Sequence, residues 1–460
     1  MTHPILIIGS GPTGLGAAWR LQELGHDNWL ILEQQPQVGG LAASFQDEAG
    51  FTWDLAVHVA HSHYHYVDQL LDTVLPGGFL LLERRSWVRT AGDWIPYPFQ
   101  YNIRHLSPPA RQRCLDGLQE LRASRDQPPP ANFQEWIYHN FGDGIAEHFM
   151  VPYNRKIWST DLATMDLDWL GDRVPVADVV ERVERNVLDR RDDVAWGPNH
   201  RFRFPRQGGT GAIWKAMAAR LPTQKIRLNI GVERLDVAHR EALLSDGNRI
   251  RYDALISTMP LPRLVQSAGQ DHVAALVGRL RHTHVQVVCL ACEFPLPDSL
   301  REKTWLYCPD GDILFYRVTP FSLFSPSHVP DPQRQCSFLC EVSTPGDGRP
   351  WPRDVLEEQT LRGFASMGLA PVNRENTRFF HLDAPYGYPV PTLGRDAILH
   401  EVLPQLDALR ILSRGRFGCW KYEVANMDHS IMQGVEAVNR LLLGEEETTW
   451  RHPRKVNSRQ

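Results

Sequence analysis

The feature that most constrains this chain is a glycine motif between an apolar segment and an amphipathic one. The segment PILIIG leads directly into Gly9, Gly11 and Gly14, and the residues after them show the apolar spacing of a helix. A second apolar segment, NWLILE, ends at Glu33. This order predicts a strand, a turn, a helix and a strand, with a pyrophosphate on the helix N-terminus and a ribose on Glu33. A tight turn that binds no ligand is the alternative interpretation.

The residues after Glu33 favour a flavin nucleotide over a nicotinamide nucleotide. The Gly-Gly-Leu segment at residues 39–41 resembles that of flavoproteins whose FAD lies on a Rossmann-like domain. Residues 246–260 are typical of a turn and a strand followed by a buried strand. Residues 411–442 are typical of a strand, a polar loop and an amphipathic helix from about Ser430. Three separated segments of this kind fit a discontinuous FAD-binding domain.

The composition argues against several function classes. The 460 residues are 42% hydrophobic and carry a net charge of −5, which gives no reason to expect nucleic acid as a partner. No apolar run could span a bilayer and the N-terminus lacks a signal-peptide pattern, so we expect a cytoplasmic protein. Seven cysteines suit reduced thiols better than a disulfide framework. Cys289 and Cys292 lie three apart in a strand-like segment and would face opposite sides, which favours buried thiols over a metal or redox pair.

The remaining pattern predicts an α/β protein in which a Rossmann-like FAD-binding domain carries a helical insertion domain and an antiparallel-sheet domain. The chain from about residue 100 shows helical periodicity, whereas the chain from about residue 275 alternates apolar and polar positions and is rich in proline. We expect the FAD-binding domain in three segments, residues 1–99, 206–275 and 396–460, the helical domain at residues 100–205 and the β-sheet domain at residues 276–395.

Eight segments along the chain resemble the UDP-galactopyranose mutases, most of all the longer eukaryotic-type branch of that family. Among them are WIPYPFQYNI, FMVPYNRKIW and SRGRFGCWKYEV, and all occur in the family's order up to about residue 440. The segments are residues 94–103, 149–158, 169–174, 196–214, 305–310, 315–319, 386–393 and 413–424. The wider group is the FAD-dependent amine oxidase and protoporphyrinogen oxidase-like superfamily.

The resemblance implies an isomerase that interconverts UDP-galactopyranose and UDP-galactofuranose without net redox change. In this family the N5 atom of reduced FAD attacks the anomeric carbon of the sugar and displaces UDP. The flavin–sugar adduct opens, recloses as a five-membered ring and is recaptured by UDP. The resemblance also implies NADPH or NADH as external reductant, a homo-oligomer, and a part in cell-surface polysaccharide biosynthesis.

The resemblance also gives each matched position an expected role. Arg173 and Arg317 would clamp the diphosphate as UDP leaves, because planar guanidinium groups stabilise charge that develops on a phosphate. The tyrosines that hydrogen-bond the same phosphates match Tyr307, Tyr388 and Tyr422. The aromatic residue that stacks on uracil matches Phe149, and the rest of the pocket lining matches Tyr97, Gln100, Asn154, Trp158, Asn199 and Trp305. The FAD contacts match Gly9, Gly11, Gly14, Glu33, Gly40, Leu41, His58, Arg416, Asn426 and Met427.

Four histidines lie within the stretch FTWDLAVHVAHSHYHY, and two interpretations of them stay open. In the family a Gly-Gly-His segment lies here, with its histidine against the flavin. His58 occupies that place, where it can donate a hydrogen bond near the flavin and tune its reduced state. His61, His63 and His65 are spaced by two, so a strand would put them on one face and make a zinc site conceivable. The family has no metal, which favours the first interpretation.

The chain departs from the family at the flavin and not at the diphosphate. Ala56 and Val57 replace the two glycines before the histidine, and a β-branched residue restricts the backbone change that the family's loop makes on reduction. Met427 stands where the longer branch has a glutamine, and Ala425 where it has a glycine. Three functions stay open: the mutase, a related enzyme or binding module for another nucleotide-linked sugar, and a net-redox flavoenzyme.

Overall fold

The computed structural model describes residues 3–90, 92–123, 128–171, 179–193 and 200–458. In chain order the strands are β1 Ile5–Ile8, β2 Trp29–Leu32, β3 Ser44–Gln46, β4 Thr52–Asp54, β5 Phe79–Glu83, β6 Ser86–Thr90, β7 Asp93–Pro96, β8 Arg201–Pro205, β9 Ile226–Arg227, β10 Val232–Asp236, β11 Glu241–Leu244, β12 Arg249–Arg251, β13 Ala254–Ser257, β14 Thr283–Cys292, β15 Trp305–Tyr307, β16 Arg317–Pro320, β17 Cys336–Pro345, β18 Thr377–Ala384 and β19 Ile411–Ser413.

The α-helices are α1 Pro12–Glu23, α2 His65–Val74, α3 Pro108–Ala123, α4 Phe133–Ile145, α5 Val151–Trp158, α6 Val179–Leu188, α7 Gly211–Ala218, α8 Leu261–Ser267, α9 Asp271–Val277, α10 Arg353–Met367, α11 Arg395–Ala408, α12 Met427–Leu443 and α13 Pro453–Asn457. None of these described helices has both the length and the apolar content needed to cross a bilayer. The described strands form two large sheets and three small ones, and helices pack against the large sheets.

The first sheet is parallel and buried on both faces. Its strand order is β19-β13-β1-β2-β9, and every residue of β1, β2 and β13 is buried. Such strands are continuously apolar because helices cover both faces of the sheet. The strands come from three separated parts of the chain, near its start, in its middle and near its end. The predicted Rossmann-like fold class is confirmed.

Helices α1 and α12 pack closely, which brings the C-terminal part of the chain onto the glycine turn. A Cβ atom on Gly434 would lie 2.0 Å from the carbonyl oxygen of Thr13, so only glycine allows this approach. The C-terminal helix begins at Met427, three residues before the predicted Ser430. Asn426, the residue before it, has an extended backbone and ends the preceding loop.

The second sheet has the strand order β18-β14-β17-β16-β15-β6-β7. Its pairs are antiparallel except that of β15 with β6, which is parallel. β6 and β7 come from residues 86–96, which the sequence assigns to the first FAD-binding segment. On β14, Cys289 and Cys292 are both buried and belong to different hydrophobic clusters, as expected for residues three apart on a strand.

The helical part of the chain shares one hydrophobic core with the second sheet. Helix α4 bends at Gly142, whose φ is 68° and whose Cβ atom would lie 2.6 Å from the backbone of Gly117 on α3. A π-helical turn, Ala146–Met150, then leads into α5. Buried residues of α4, α5, β14 and β17 belong to the same cluster. Helix α5 therefore lies against the sheet, at the place where the candidate site forms.

The histidine stretch does not form the strand that would put three histidines on one face. β4 ends at Asp54, and His61 and His63 lie in the loop that follows. His65 is the first residue of α2. His61, His63 and His65 therefore do not lie on one face of a strand. The argument for a zinc site from their spacing of two residues is wrong.

Candidate active site

The motif glycines form a tight turn that packs against the Gly-Gly segment. Gly9 has a φ of 97°, and a Cβ atom on Gly14 would lie 1.9 Å from the carbonyl oxygen of Gly9. At Gly11 a Cβ atom would meet nothing closer than the Cα atom of Gly40, at 3.8 Å. Gly40 opens a short 3₁₀ turn that contains Leu41. The turn lies at the N-terminus of α1, which among the described residues no side chain caps, so the first N–H groups of the helix suit a pyrophosphate.

Glu33 is buried beside this turn and is oriented by it. Its Oε2 atom accepts hydrogen bonds from the amide and hydroxyl of Ser10 at 2.8 and 2.9 Å, and its Oε1 atom accepts from the amide of Gln35 at 2.9 Å. The Gly39 amide donates to the Ser10 carbonyl at 3.0 Å and ties the Gly-Gly segment to the same turn. Oε1 keeps a lone pair for a ribose hydroxyl, so these residues fit the adenosine and pyrophosphate part of FAD.

The loop after β4 holds His58 in a strained backbone. Ala56 has a φ of 66°, a left-handed conformation that costs a non-glycine residue about 1 kcal/mol. The Nδ1 atom of His58 lies 3.1 Å from the carbonyl oxygen of Ala56. Since a carbonyl can only accept, Nδ1 carries the proton of the neutral ring and Nε2 is left as an acceptor. The structure thus presents an acceptor where the sequence predicts a donor.

Two cationic side chains converge on His58. Burial, the charge of Arg416 and the charge of Arg317 lower the pKa of His58 to about 4, against a smaller opposite effect of its bond to Ala56. The ring is therefore neutral at physiological pH. Arg416 belongs to the C-terminal segment and Arg317 to the second sheet. The charges that act on His58 therefore come from two distant parts of the chain.

Three residues stand side by side across the second sheet at this point. Tyr307 on β15 lies opposite Arg317 on β16, which lies opposite Glu341 on β17. Arg317 donates from Nε to Oε1 of the fully buried Glu341 at 2.8 Å and from Nη2 to Oε2 at 2.6 Å. The Tyr316 hydroxyl donates to the same Oε2 at 2.6 Å and lies 3.4 Å from the Tyr388 hydroxyl. Within the described residues the Nη1 atom of Arg317 makes no such bond, so it can donate to a ligand.

The charges of this group suit an anion. Burial alone would lower the pKa of Arg317, but Glu341 and Tyr388 hold it well above its ordinary value, so the guanidinium is always charged. Burial raises the pKa values of the Tyr97, Tyr316 and Tyr388 phenols, which therefore stay neutral hydrogen-bond donors. A permanent cation surrounded by neutral donors is the arrangement expected around a diphosphate.

Arg416 lies beside two of the predicted phosphate-binding tyrosines. It donates from Nε to the Gly387 carbonyl at 3.0 Å and from Nη1 to the Ala425 carbonyl at 3.2 Å. Its guanidinium lies 5.1 Å from the ring centre of Tyr388 and 5.8 Å from that of Tyr422. Burial lowers its pKa, and within the described part of the chain no carboxylate pairs with it. A buried cation without a counter-ion favours an anionic group nearby.

The start of α12 is fixed to the histidine stretch. The ring and amide nitrogens of His63 lie 2.8 and 3.0 Å from Oδ2 of Asp428, and the ring of His429 stacks on that of His63 at 4.8 Å. Burial opposes ionisation of Asp428, but His429 and the bond from His63 outweigh it and lower the pKa of Asp428. Asn426 and Met427, two predicted FAD contacts, open this helix and are held beside the His58 loop.

Phe149 is poorly placed to stack on a base. It is 2% exposed, and its ring stacks on those of Phe99 and Tyr153, each with centroids 5.0 Å apart. A base could stack on Phe149 only by displacing a neighbour. Tyr153 is 9% exposed, and its ring centre lies 5.1 Å from that of Tyr307, the residue opposite Arg317 on the second sheet. The sequence analysis missed Tyr153, although its i, i+4 spacing from Phe149 places both on one helical face.

Two buried polar atoms of the predicted pocket have no hydrogen-bond partner among the described residues. They are Oε1 of Gln100, an acceptor, and Nε1 of Trp305, a donor. Buried polar atoms are rarely left unpaired, so both atoms favour a polar ligand in this pocket. The guanidinium of Arg84, which the sequence analysis missed, lies 4.9 Å from the Trp305 ring. Burial lowers the pKa of Arg84, and Tyr307 partly offsets that effect.

The end of α5 lines the other side of the same region. Trp158 is buried, and its ring centre lies 4.9 Å from that of Tyr422 and 5.9 Å from that of Tyr388. Asn154 donates from Nδ2 to the Met150 carbonyl at 2.8 Å, so its Oδ1 atom is the one that can accept from a ligand. The tyrosines expected at the phosphates and the tryptophan expected in the pocket therefore do come together.

Lys156 is a further residue that the sequence analysis missed. Its Nζ atom lies 2.9 Å from the carbonyl oxygen of Cys308 and 2.5 Å from that of Asp310, and it also contacts the carbonyl of Ile313. These carbonyls belong to the connection between β15 and β16. The ammonium group thus ties helix α5 to the strand that carries Arg317.

Arg173 and Asn199 lie outside the described residues, so their roles stay predictions. The chain that leads to Arg173 passes close to the pocket, because the ring centre of Trp169 lies 5.1 Å from that of Trp158.

Comparisons with known proteins agree with these arrangements. Residues 7–74 match the model of the NAD(P)-binding Rossmann-like domain, and residues 112–442 match that of the flavin-containing amine oxidoreductases. A crystal structure of reduced UDP-galactopyranose mutase is 40% identical, with a TM-score of 0.95, over 99% of this chain and 98% of that chain. The chain belongs to the UDP-galactopyranose mutase family. The predicted resemblance is confirmed, and FAD is the cofactor that the family supports for the glycine turn and Glu33.

For solved structures that are less than 25% identical to this chain, the likeness is one of fold alone. The CLA-producing fatty acid isomerase of P. acnes is 16% identical, with a TM-score of 0.62, over 96% of this chain and 99% of that chain. A putrescine oxidase bound to putrescine is 15% identical, with the same TM-score and the same coverage of both chains. These structures show how widely the fold is used, and the function of this mutase-family chain has to be argued from its own site.

Proposed function

We propose that this mutase-family protein interconverts UDP-galactopyranose and UDP-galactofuranose with FAD in its reduced state and no net redox change. The observation that carries the proposal is the cluster around Tyr388: its hydroxyl lies 3.4 Å from that of Tyr316, which shares Glu341 with Arg317, and its ring lies 5.1 Å from the Arg416 guanidinium. Reduced FAD, when bound, would supply the nucleophile that displaces UDP from the anomeric carbon, through its N5 atom. The similarity to a reduced UDP-galactopyranose mutase supports the same chemistry.

The diphosphate would be stabilised as it leaves by groups already in place. Glu341 fixes the plane of the Arg317 guanidinium, and the Tyr307 and Tyr388 side chains lie next to it. Preorganised donors lower a barrier because they need no reorganisation as charge develops. UDP has to wait while the sugar ring opens and recloses, so the same contacts would hold it for the return step. Arg173 is expected to supply a second cation.

Neutral His58 suits a position between the flavin and the departing phosphates. Its pKa of about 4 keeps the ring uncharged, and its Nε2 atom can accept a hydrogen bond from a flavin N–H or a sugar hydroxyl. An imidazolium in this place would compete with Arg317 and Arg416 for the diphosphate. We propose that burial of His58, together with the charges of Arg416 and Arg317, lowers its pKa and so prevents this competition.

The uracil would be recognised by the unpaired atoms of the pocket. Gln100 Oε1 can accept from the imide N–H of uracil, and Trp305 Nε1 can donate to a carbonyl or ribose oxygen. Tyr153 offers the stacking surface in place of Phe149, because its ring lies on the side of Tyr307. Pairing the two buried atoms would favour a uridine nucleotide over a ligand without these groups.

The experiment is product analysis by chromatography after incubation of dithionite-reduced protein with UDP-galactopyranose, UDP-glucose and other UDP-hexoses. We expect a five-membered-ring product from UDP-galactopyranose, with NADPH or NADH able to replace dithionite. Arg317→Ala should lower the rate by about 100-fold or more, since it removes a contact to the leaving group. Arg301→Ala is the matched control, because that side chain is 64% exposed.

The outcome separates the remaining functions. Turnover of another UDP-hexose alone would keep the mutase mechanism and change the substrate. Consumption of oxygen or an electron acceptor in step with product would replace the mutase by a net-redox flavoenzyme. Tight binding of UDP-sugars without turnover of any of them by the reduced protein would make the chain a binding module.

A further inference from the structure

A buried hydrogen-bond network lies next to the His58 loop, on β4 and the start of α7. Asp54, the last residue of β4, is 1% exposed. The Ser44 hydroxyl donates to its Oδ1 atom, and the Thr210 amide lies 3.2 Å from both of its carboxyl oxygens. The Thr210 Oγ1 atom lies 2.7 Å from Oδ2 of Asp54 and 2.6 Å from the carbonyl oxygen of His58.

The protons of this network do not suffice if Asp54 is ionised. A threonine hydroxyl has one proton, yet Oγ1 of Thr210 lies within hydrogen-bond distance of two oxygens that would both be acceptors. Ser44 cannot supply another proton, because it accepts from the Gly211 amide at 2.7 Å and donates its own proton to Asp54. If Asp54 is the neutral acid, it donates to Thr210, and Thr210 donates to the His58 carbonyl.

The surroundings favour the neutral acid and leave no space for rearrangement. A Cβ atom on Gly209 would lie 2.2 Å from Oδ1 of Asp54, and one on Gly211 would lie 2.4 Å from the Ser44 amide nitrogen. Burial raises the pKa of Asp54 to about 6, although the bonds from Ser44 and Thr210 lower it. β3 and α7 supply only the uncharged Ser44 and Thr210 to this carboxyl.

Two titratable groups that adjoin the network, Cys289 and His58, are uncharged. From β14, burial raises the pKa of the Cys289 thiol well above its ordinary value, and Asp47 and Glu341 are the further carboxyl groups that act on this thiol in the same direction. From the loop, His58 is neutral because its pKa is lowered to about 4. No cation among the groups that shift the pKa of Asp54 compensates an Asp54 carboxylate.

We propose that Asp54 is a positioning residue whose proton, relayed through Thr210, holds the His58 peptide in place. When Asp54 loses this proton, the Thr210 hydroxyl turns to the carboxylate, because a charged oxygen is the stronger acceptor. The His58 carbonyl then loses its partner. The inference rests on the proposed function only in that it places the flavin at His58.

Backbone strain favours movement of the His58 loop once the bond from Thr210 is lost. Ala56 is held at a φ of 66°, and Val57 is β-branched, so the backbone before His58 is strained where the family has two glycines. The bond from Thr210 opposes relaxation of that strain. The state of Asp54 would therefore decide whether the loop beside the flavin is fixed or free.

The test uses the FAD-loaded protein with ¹³C-labelled aspartate, titrated from about pH 5 to about pH 8. Infrared difference spectra of wild type against Asp54→Asn should show a carboxylic acid band that disappears near pH 6. The flavin absorption spectrum should shift with the same midpoint. Asn can donate to Thr210 as the neutral acid does, so Asp54→Asn should keep the low-pH flavin spectrum throughout.

Thr210→Val and Thr210→Ser form the matched pair. Valine removes the relay and should abolish the pH-dependent shift of the flavin spectrum, whereas serine keeps the hydroxyl and should retain it. A wild-type protein without a titrating carboxylic acid band would overturn the proposal, as would a Thr210→Val protein whose flavin still shifts with the same midpoint. If Asp54→Asn does not fold, the wild-type band and the Thr210 pair decide alone.

These measurements are independent of turnover. Absence of mutase activity together with the expected band and spectral shift would contradict the proposed function and leave the role of Asp54 intact. Mutase activity together with a flavin spectrum that does not change when Asp54 titrates would support the proposed function and contradict the role of Asp54.

Discussion

Arg317 and Glu341 lie opposite each other on adjacent strands and form a two-point ion pair, with distances of 2.8 and 2.6 Å. Glu341 is fully buried, whereas the Arg317 side chain is 19% exposed. A carboxylate behind an arginine that we propose to bind the diphosphate weakens the attraction of the arginine for an anion. It also fixes the plane of the guanidinium before the ligand arrives, which is what a leaving group requires.

The first prediction concerns this pair. Glu341→Gln should lower kcat by roughly 10- to 100-fold, because the guanidinium loses one charged acceptor and its fixed orientation. The affinity for UDP should stay equal or rise, since a negative charge near the phosphates is removed. Stopped-flow turnover and calorimetric titration with UDP separate the two effects. The matched control is Glu358→Gln, a glutamate that is 47% exposed and paired with Arg362. Weaker UDP binding at a normal kcat would contradict this role of Glu341.

The second prediction concerns Lys156, which holds the connection between β15 and β16. Lys156→Met leaves the carbonyls of Cys308, Asp310 and Ile313 without their shared donor and should destabilise the fold by about 2–3 kcal/mol. UDP affinity should fall as well, because the strand that carries Arg317 is less fixed. Urea unfolding and UDP titration measure both effects, with the exposed Lys455→Met as control. An unchanged UDP affinity would show that the Lys156 contacts serve stability alone.

The third prediction concerns the strained backbone at Ala56. Ala56→Gly removes strain of about 1 kcal/mol but also makes the unfolded chain more flexible by a similar amount, so the free energy of unfolding should change little. Ala219→Gly, at an exposed position with a negative φ of −64°, should only destabilise. Crystal structures of oxidised and reduced protein should show a larger movement of the His58 loop in Ala56→Gly than in wild type. Equal movement in both would mean that Ala56 does not restrict the loop.

The fourth prediction is a pH dependence of stability. The pKa of His58 is lowered from 6.5 to about 4, so between these values the unfolded chain binds a proton that the folded chain does not. The stability that depends on His58 is therefore complete above about pH 6.5 and is lost as the pH falls towards about 4. The free energy of unfolding of wild type should drop by about 2 kcal/mol more than that of His58→Gln over this range. Parallel curves for the two proteins would show that His58 titrates normally.

Much of the cofactor site could be predicted because its determinants are local. Gly9, Gly11, Gly14 and Glu33 lie within one unit of strand, turn, helix and strand, and their spacing alone requires the turn that the structure contains. The faces of β14 could also be predicted, because residues three apart on a strand point to opposite sides, as Cys289 and Cys292 do. In the histidine stretch the local pattern was ambiguous and left two interpretations open, and the one that required a strand is excluded by the loop and helix found there.

The rest of the candidate site could not be predicted because it depends on strand register and on contacts between distant parts of the chain. No local sequence pattern predicts that Arg317 lies opposite Glu341, 24 residues later. A shift of one residue in the strand register would turn every side chain of the strand to the other face of the sheet. Asp54 and Thr210 are 156 residues apart and meet only because β4 packs against the start of α7. The acceptor role of His58 also depends on the backbone conformation of its loop.

If reduced flavin acts as a nucleophile and is not consumed, a single reduction should support many turnovers, and the number of product molecules per flavin measures this. The protein is reduced once under anaerobic conditions, the excess reductant is removed, and UDP-galactofuranose formed from UDP-galactopyranose is counted per reduced flavin. We expect many product molecules per flavin, with the flavin still reduced at the end and no product from oxidised protein. One product per reduced flavin, with the flavin oxidised in step, would contradict this expectation.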